Sequence, residues 1–147
     1  PPYRMGPVLA AAGAHAMCDV SDGLLADLGH IARASGVTVD LRSSAFEPAD
    51  ALRRAAERLG VDPLAWMLTG GDDHALVACL PPDVPVPDGC TVIGAVLAPA
   101  AGRETAAPAG AAPPSPQEAA PGTGEPVLVD GRRYDRPPGW EHFHRSG

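Results

Sequence analysis

The segment Asp19-Val20-Ser21-Asp22-Gly23 sets two carboxylates and a hydroxyl around a single turn. Oxygen donors grouped in this way suit Mg2+, which keeps several waters and usually takes one or two protein carboxylates together with substrate phosphates. A helix starting near Gly23 would add exposed amide donors and a dipole favourable to phosphate. The same residues have a plainer use: Ser21 or Asp22 could simply cap that helix, and on spacing alone capping is the commoner role. Capping needs only one of them, however, and Asp19, at the end of a strand, has no part in it. A second acidic stretch, Gly70-Gly71-Asp72-Asp73-His74, could hold a metal, accept hydrogen bonds from a ligand or only make a tight turn, the most frequent use of these residue types. Trp140 offers an indole face to a flat or cationic group, or a packing anchor near the terminus. His142 and His144 lack further ligands nearby and read as a solvated tail. Cys18 is a poor nucleophile, since the neighbouring Asp19 charge disfavours thiolate.

The elements that must position these residues follow from periodicity. Ala10 to Val20 reads as a helix end followed by a short buried strand. Leu24, Leu25, Leu28, Ile31 and Ala32 recur at helical spacing, so a helix is expected from about Gly23 to Ala34, with Asp27, His30 and Arg33 on its other face. Gly36 suits the left-handed position that ends it. Val37 to Leu41 alternates like a half-buried strand, completing a strand–helix–strand unit. Pro48 to Leu59 predicts a second helix with Arg53, Arg54, Glu57 and Arg58 towards solvent and Gly60 as its stop. A helical turn around Asp62 to Met67 precedes the glycine-acidic turn. His74 to Leu80 is then a strand candidate, and Thr91 to Leu97 another, interrupted by Gly94. From 98 to 126 the composition falls to alanine, proline and glycine, which cannot bury enough surface to offset its ordering entropy, and a disordered insertion is expected. Val127 to Val129 with Asp130-Gly131 signals a late hairpin or strand. Helices and strands mixed in this order suggest an α+β or α/β domain.

The bulk numbers narrow the chemistry. A chain of 147 residues with 45% apolar side chains supports one packed core and not two full domains. It contains no lysine, which removes a Walker-type phosphate lysine and Schiff-base catalysis. A net charge of −7 opposes binding to nucleic acid, so an anionic ligand would need a divalent cation between it and the protein. Cys18, Cys79 and Cys90 are an odd number at wide spacings and suggest neither a disulfide framework nor a zinc site. No stretch is apolar enough to span a bilayer and no signal peptide opens the chain, which makes the cytoplasm the expected location and a membrane an unexpected partner. The Pro-Pro-Tyr-Arg opening resembles an interdomain linker and hints at a truncated chain.

Together these pieces resemble the thiamine-monophosphate kinase family. The resemblance runs through Ala16-Met17-Cys18-Asp19-Val20-Ser21-Asp22-Gly23-Leu24, Asp27-Leu28-Gly29-His30-Ile31, Ala34-Ser35-Gly36-Val37, Leu68-Thr69-Gly70-Gly71-Asp72-Asp73-His74-Ala75-Leu76 and Gly139-Trp140-Glu141-His142-Phe143. The DxSDG element alone is shared with the wider aminoimidazole-ribonucleotide-synthetase superfamily; the glycine-acidic turn and the aromatic tail favour the kinase.

The resemblance implies an α+β domain, a layered mixed sheet flanked by helices, forming the C-terminal part of an enzyme that moves the ATP γ-phosphoryl group to thiamine monophosphate. It implies Mg2+ at Asp19 and Asp22, ATP at Ser21, and the thiamine substrate at Asp72 and Trp140. The chain departs from the family at Asp72, where glutamate is expected, and a shorter side chain there weakens the contact or admits a water. No catalytic nucleophile or base is nominated. The resemblance also implies a missing N-terminal domain that supplies further acids and builds the nucleotide site and a homodimer, so the chain alone is expected to have little kinase activity. Two other readings stay open: a different ATP-dependent enzyme of the superfamily, and a noncatalytic binding or scaffold domain whose acidic turns are only caps.

Overall fold

The computed structural model describes residues 3–71, 74–98 and 126–134. The expected insertion at 98–126 therefore falls almost wholly outside the described residues, as do Asp72 and Trp140. The first elements are a helix, α1 (Met5–Ala11), a strand, β1 (Ala16–Val20), and the long helix α2 (Leu24–Ser35). They are followed by β2 (Thr38–Leu41), a 3-10 turn at Ser43–Ala45, α3 (Asp50–Leu59) and α4 (Pro63–Thr69). Strands β3 (Ala75–Cys79), β4 (Gly94–Leu97), β5 (Val127–Val129) and β6 (Arg132–Arg133) complete the order.

The strands make two sheets, one of β1 and β3 and one in the order β4-β2-β5-β6. The second is mixed, because β2 runs antiparallel to β4 and parallel to β5. The α+β class with a mixed sheet is thus observed. The strand–helix–strand unit is only sequential: β1 and β2 flank α2 in the chain but join different sheets. Helix α2 packs against both, and its Leu24, Leu25, Leu28 and Ala32 share a core with Val20, Val39, Leu41 and Val77.

One face assignment is corrected. Asp27, expected on the solvent side of α2 with His30 and Arg33, is buried, and it is the one charged residue in the core among the described residues. At about 100° per residue it lies only about 40° from Ile31 and about 60° from Leu24, on the margin of the apolar stripe and not opposite it. Gly36 ends the helix in the left-handed conformation expected of it, at φ 65°, with Val37 donating back to the Ala32 carbonyl.

The other boundaries shift for packing reasons. Helix α3 begins at Asp50 and not at Pro48, whose carbonyl instead accepts a hydrogen bond from Arg53. Asp62 caps α4 by accepting from the Leu64 amide, and the helix runs on to Thr69 because Leu68 is completely buried. Gly94 starts β4 and does not interrupt it: a Cβ there would lie 2.3 Å from the Asp40 carbonyl oxygen, so only glycine lets β4 meet β2. The late hairpin is observed at β5–β6, with Asp130 and Gly131 at φ 51° and 73°, the sign a two-residue type I′ turn requires.

Candidate active site

The site grows from the end of β1. Along that strand Cys18 and Val20 contribute to the core while Asp19 between them is exposed, as period-two alternation requires. The chain then turns through Ser21 and Asp22 into α2. The cap position belongs to Gly23, which has no side chain to cap with, and its φ of 121° with ψ of 145° is a conformation left to glycine. Asp22 and Ser21 are one and two positions too early for the simple capping role. Ser21 is exposed and its hydroxyl donates to Asp22 Oδ1 over 3.3 Å.

The Ser21 and Asp22 amides are turned towards Asp27. Asp27 Oδ2 accepts from the Ser21 amide at 2.9 Å and from the Asp22 amide at 3.2 Å. Two main-chain donors just ahead of the Gly23 cap are thus taken by a buried carboxylate of the helix that follows. Asp27 is the residue that the sequence reading missed. Its signal was an acidic side chain in the first turn of a helix that has no capping side chain, placed on the edge of the apolar stripe.

The DxSDG turn meets the 69–71 end of the second stretch. A Cβ on Gly23 would lie 2.9 Å from the Thr69 carbonyl oxygen, and one on Gly71 would lie 2.6 Å from the Ser21 carbonyl oxygen. The DxSDG turn and the Gly70-Gly71 turn thus pack backbone against backbone, and glycine is what permits it. The register continues the contact, since Val20 at the end of β1 pairs with Ala75 at the start of β3. Between them His74 takes a positive φ of 50°. Asp72 and Asp73 lie outside the described residues.

The fit to a cation can be judged from the donors. Asp19 is exposed and Asp22 half-buried, and among the described residues no group of three or more His, Cys, Asp or Glu side chains gathers around a common point. Carboxylate oxygen is the donor type Mg2+ takes, and that ion completes its shell with phosphate oxygens and water more often than in a closed protein cage. Cys18, beneath the turn, has its thiol pushed up to about 11, chiefly by burial and further by the Asp27 and Asp19 charges. The expected inertness of Cys18 holds, although burial outweighs the charge first held responsible.

Residues 2–98 match the family model of the AIR synthase related protein, C-terminal domain. The chain belongs to that family. Within it, the chain is similar to thiamine-monophosphate kinases: it is 46% identical over 144 residues to that of Mycobacterium tuberculosis (strain ATCC 25618 / H37Rv), covering 97% of this chain and 35% of the relative. It is 32% identical over 132 residues to that of Aquifex aeolicus (strain VF5), covering 88% of this chain and 34% of the relative. Among solved structures, AaThiL complexed with AMPPCP and TMP superposes with a TM-score of 0.64 at 30% identity, covering 97% of this chain and 38% of that one. The thiamine-monophosphate kinase of Stenotrophomonas maltophilia K279a gives a TM-score of 0.60 at 30% identity over 90% of this chain and 36% of that one. The chain spans about a third of the length of the curated relatives it matches.

Proposed function

We propose that this chain is the C-terminal part of a thiamine-monophosphate kinase, which transfers the γ-phosphoryl group of ATP to the phosphate of thiamine monophosphate and so makes thiamine diphosphate. The observation that carries the reading is the junction of the DxSDG and Gly-Gly turns, whose backbones pack against each other, as a site shared between the metal-bound phosphates and the acceptor would need. The similarity to kinases of this name, one solved with AMPPCP and TMP, supports it.

In this reading Asp19 and Asp22 hold Mg2+ and Ser21 contacts ATP, while Asp72 and Trp140 meet the thiamine moiety. Bound Mg2+ would neutralise phosphates that an acidic, lysine-free domain otherwise repels. The chain's own work is to align. A phosphate acceptor has a second pKa of about 6 and is already largely ionised near neutral pH, so no side chain has to remove a proton. A carboxylate at 72 and the indole face of Trp140 both favour a permanently charged thiazolium. The remainder of the longer protein would supply the rest of the nucleotide site and the dimer, in the cytoplasm where ATP is held.

A coupled ATP-consumption assay with thiamine monophosphate tests this. The longer enzyme should turn over, the 147-residue chain alone should not, and Asp19→Asn or Asp22→Asn should each lower activity more than about 10–100-fold, the range for groups acting one step further from a metal. Full activity in both variants would remove the metal assignment, and turnover by the chain alone would remove the need for the rest.

A further inference from the structure

The DxSDG turn owes its shape to a residue outside the motif. Asp27 is only 7% exposed, and a carboxylate so placed is costly unless its oxygens are hydrogen-bonded. Oδ2 meets that need with the Ser21 and Asp22 amides at 2.9 and 3.2 Å, six and five residues back along the chain. The Asp27 amide donates to the Gly23 carbonyl at 3.0 Å, so the same residue closes the first helical hydrogen bond. With two amides drawn inward, the Ser21 and Asp22 main chain is fixed from beneath, and the carbonyl of Ser21 is left against Gly71.

From this geometry we infer that Asp27 is a positioning residue: it holds the turn with the Ser21 and Asp22 amides committed to its carboxylate, so that Asp19 and Asp22 are presented to a cation and these two amides take no part in binding phosphate. The inference deepens the metal reading above and rests on it for the cation, but the inward commitment of the amides stands on the hydrogen bonds alone. Free main-chain amides in such a turn would attract a bare phosphate. Here a full negative charge already answers the Ser21 and Asp22 amides, and the Asp19 carboxylate beside them is exposed.

The test uses the 147-residue chain, with amide NMR and Mn2+ as a paramagnetic stand-in for Mg2+. In the unsubstituted chain the Ser21 and Asp22 amide protons should be shifted downfield and protected from exchange, and inorganic pyrophosphate without metal should leave them unmoved. Mn2+ should broaden resonances around Asp19 and Asp22. In Asp27→Asn, which keeps the shape and one acceptor oxygen, protection of the two amides should fall at least tenfold and the midpoint for Mn2+ broadening should rise at least tenfold, while the amides later in α2 keep their protection. A residue that only stabilised the fold would lower the melting temperature and leave the Mn2+ midpoint unchanged well below it, and that result in a folded variant overturns the inference. Free exchange at both amides of the unsubstituted chain, or metal-free pyrophosphate shifting them, overturns it whether or not the variant folds. Absence of Mn2+ broadening in the unsubstituted chain would count against the metal reading, and amide protection would still decide the role of Asp27.

Discussion

Two turns of this molecule are tied by the same device, an aspartate that accepts main-chain amides from elsewhere, and they use it differently. At the β1–α2 turn the carboxylate of Asp27 is buried and reaches back five and six residues. At the Asp130-Gly131 turn Asp130 is exposed and accepts from the Ser43 amide across 87 positions, while Asp40 accepts from the Gly131 amide across 91. The near, buried tie fixes the conformation of residues assigned to chemistry. The distant, exposed pair fixes where strand β5 sits beside β2, a matter of register that the parallel pairing Val39 to Val127 also settles. Water competes more for the second set of hydrogen bonds, which are exposed, than for the first, which are partly buried, so loss of a partner should be felt more at the first.

Two glycine substitutions should separate the regions most strongly. Gly23→Ala places a Cβ 2.9 Å from the Thr69 carbonyl oxygen on a backbone with φ of 121°, so steric overlap and backbone strain add. A loss of about 2–5 kcal/mol in urea denaturation is expected. Gly94→Ala in the four-stranded sheet meets the Asp40 carbonyl oxygen at 2.3 Å but without a positive φ, and a strand pair can shift; about 1–3 kcal/mol is expected. Equal losses would mean that the junction of the two acidic turns is no more constrained than an ordinary sheet contact.

Much of this frame was legible in the sequence because its signals are local. The apolar spacing of α2, the stop glycines at 36 and 60, and the Asp-Gly hairpin each depend on residues within one or two turns of chain. What was not legible depends on contacts distant in sequence. Nothing near Gly94 announces that Asp40 will lie against it, and nothing in β1 and β2 says that they enter separate sheets. Of the candidate site, Asp19, Ser21 and Asp22 stand out by type and spacing alone. Asp27 was assigned to solvent because a charge was taken to mark the polar face, whereas a carboxylate with two amide donors is stable at the core's edge.

Beneath the first turn the comparison can be sharpened through Cys18, which reports burial and negative charge together. Its thiol is raised from 9.0 to about 11, with burial the largest cause, then Asp27, then Asp19. Two units correspond to roughly a hundredfold less thiolate at pH 8, and the thiolate is the reactive form. Iodoacetamide at pH 8, followed by peptide mass spectrometry, should therefore modify Cys18 roughly a hundredfold more slowly than an unstructured cysteine peptide. Asp27→Asn should recover part of that loss and no more, since burial remains. Modification at the peptide's rate would show that the region under the DxSDG turn is neither as enclosed nor as negative as its geometry requires.

The smallest effect belongs to the exposed turn, and acid brings it out. Hydrogen bonds from the Ser43 hydroxyl and amide hold the Asp130 carboxyl below its ordinary 3.8. The folded chain thus binds this proton less readily than the unfolded chain does. The stabilisation is complete above the unfolded value of about 4 and is lost as pH falls through the lower folded value. Asp130→Asn keeps a carbonyl oxygen for the Ser43 amide and removes only the charge. The urea midpoint of the parent chain should therefore exceed that of the variant slightly at pH 6, with the gap closing by about pH 2–3. Because the carboxyl is exposed, the gap at pH 6 should be far smaller than the losses expected from either glycine substitution. A gap that persisted unchanged at the acid end would mean that the variant's deficit comes from turn geometry and not from charge, and the contrast between a buried carboxylate that shapes and an exposed one that only trims would fail at its weaker side.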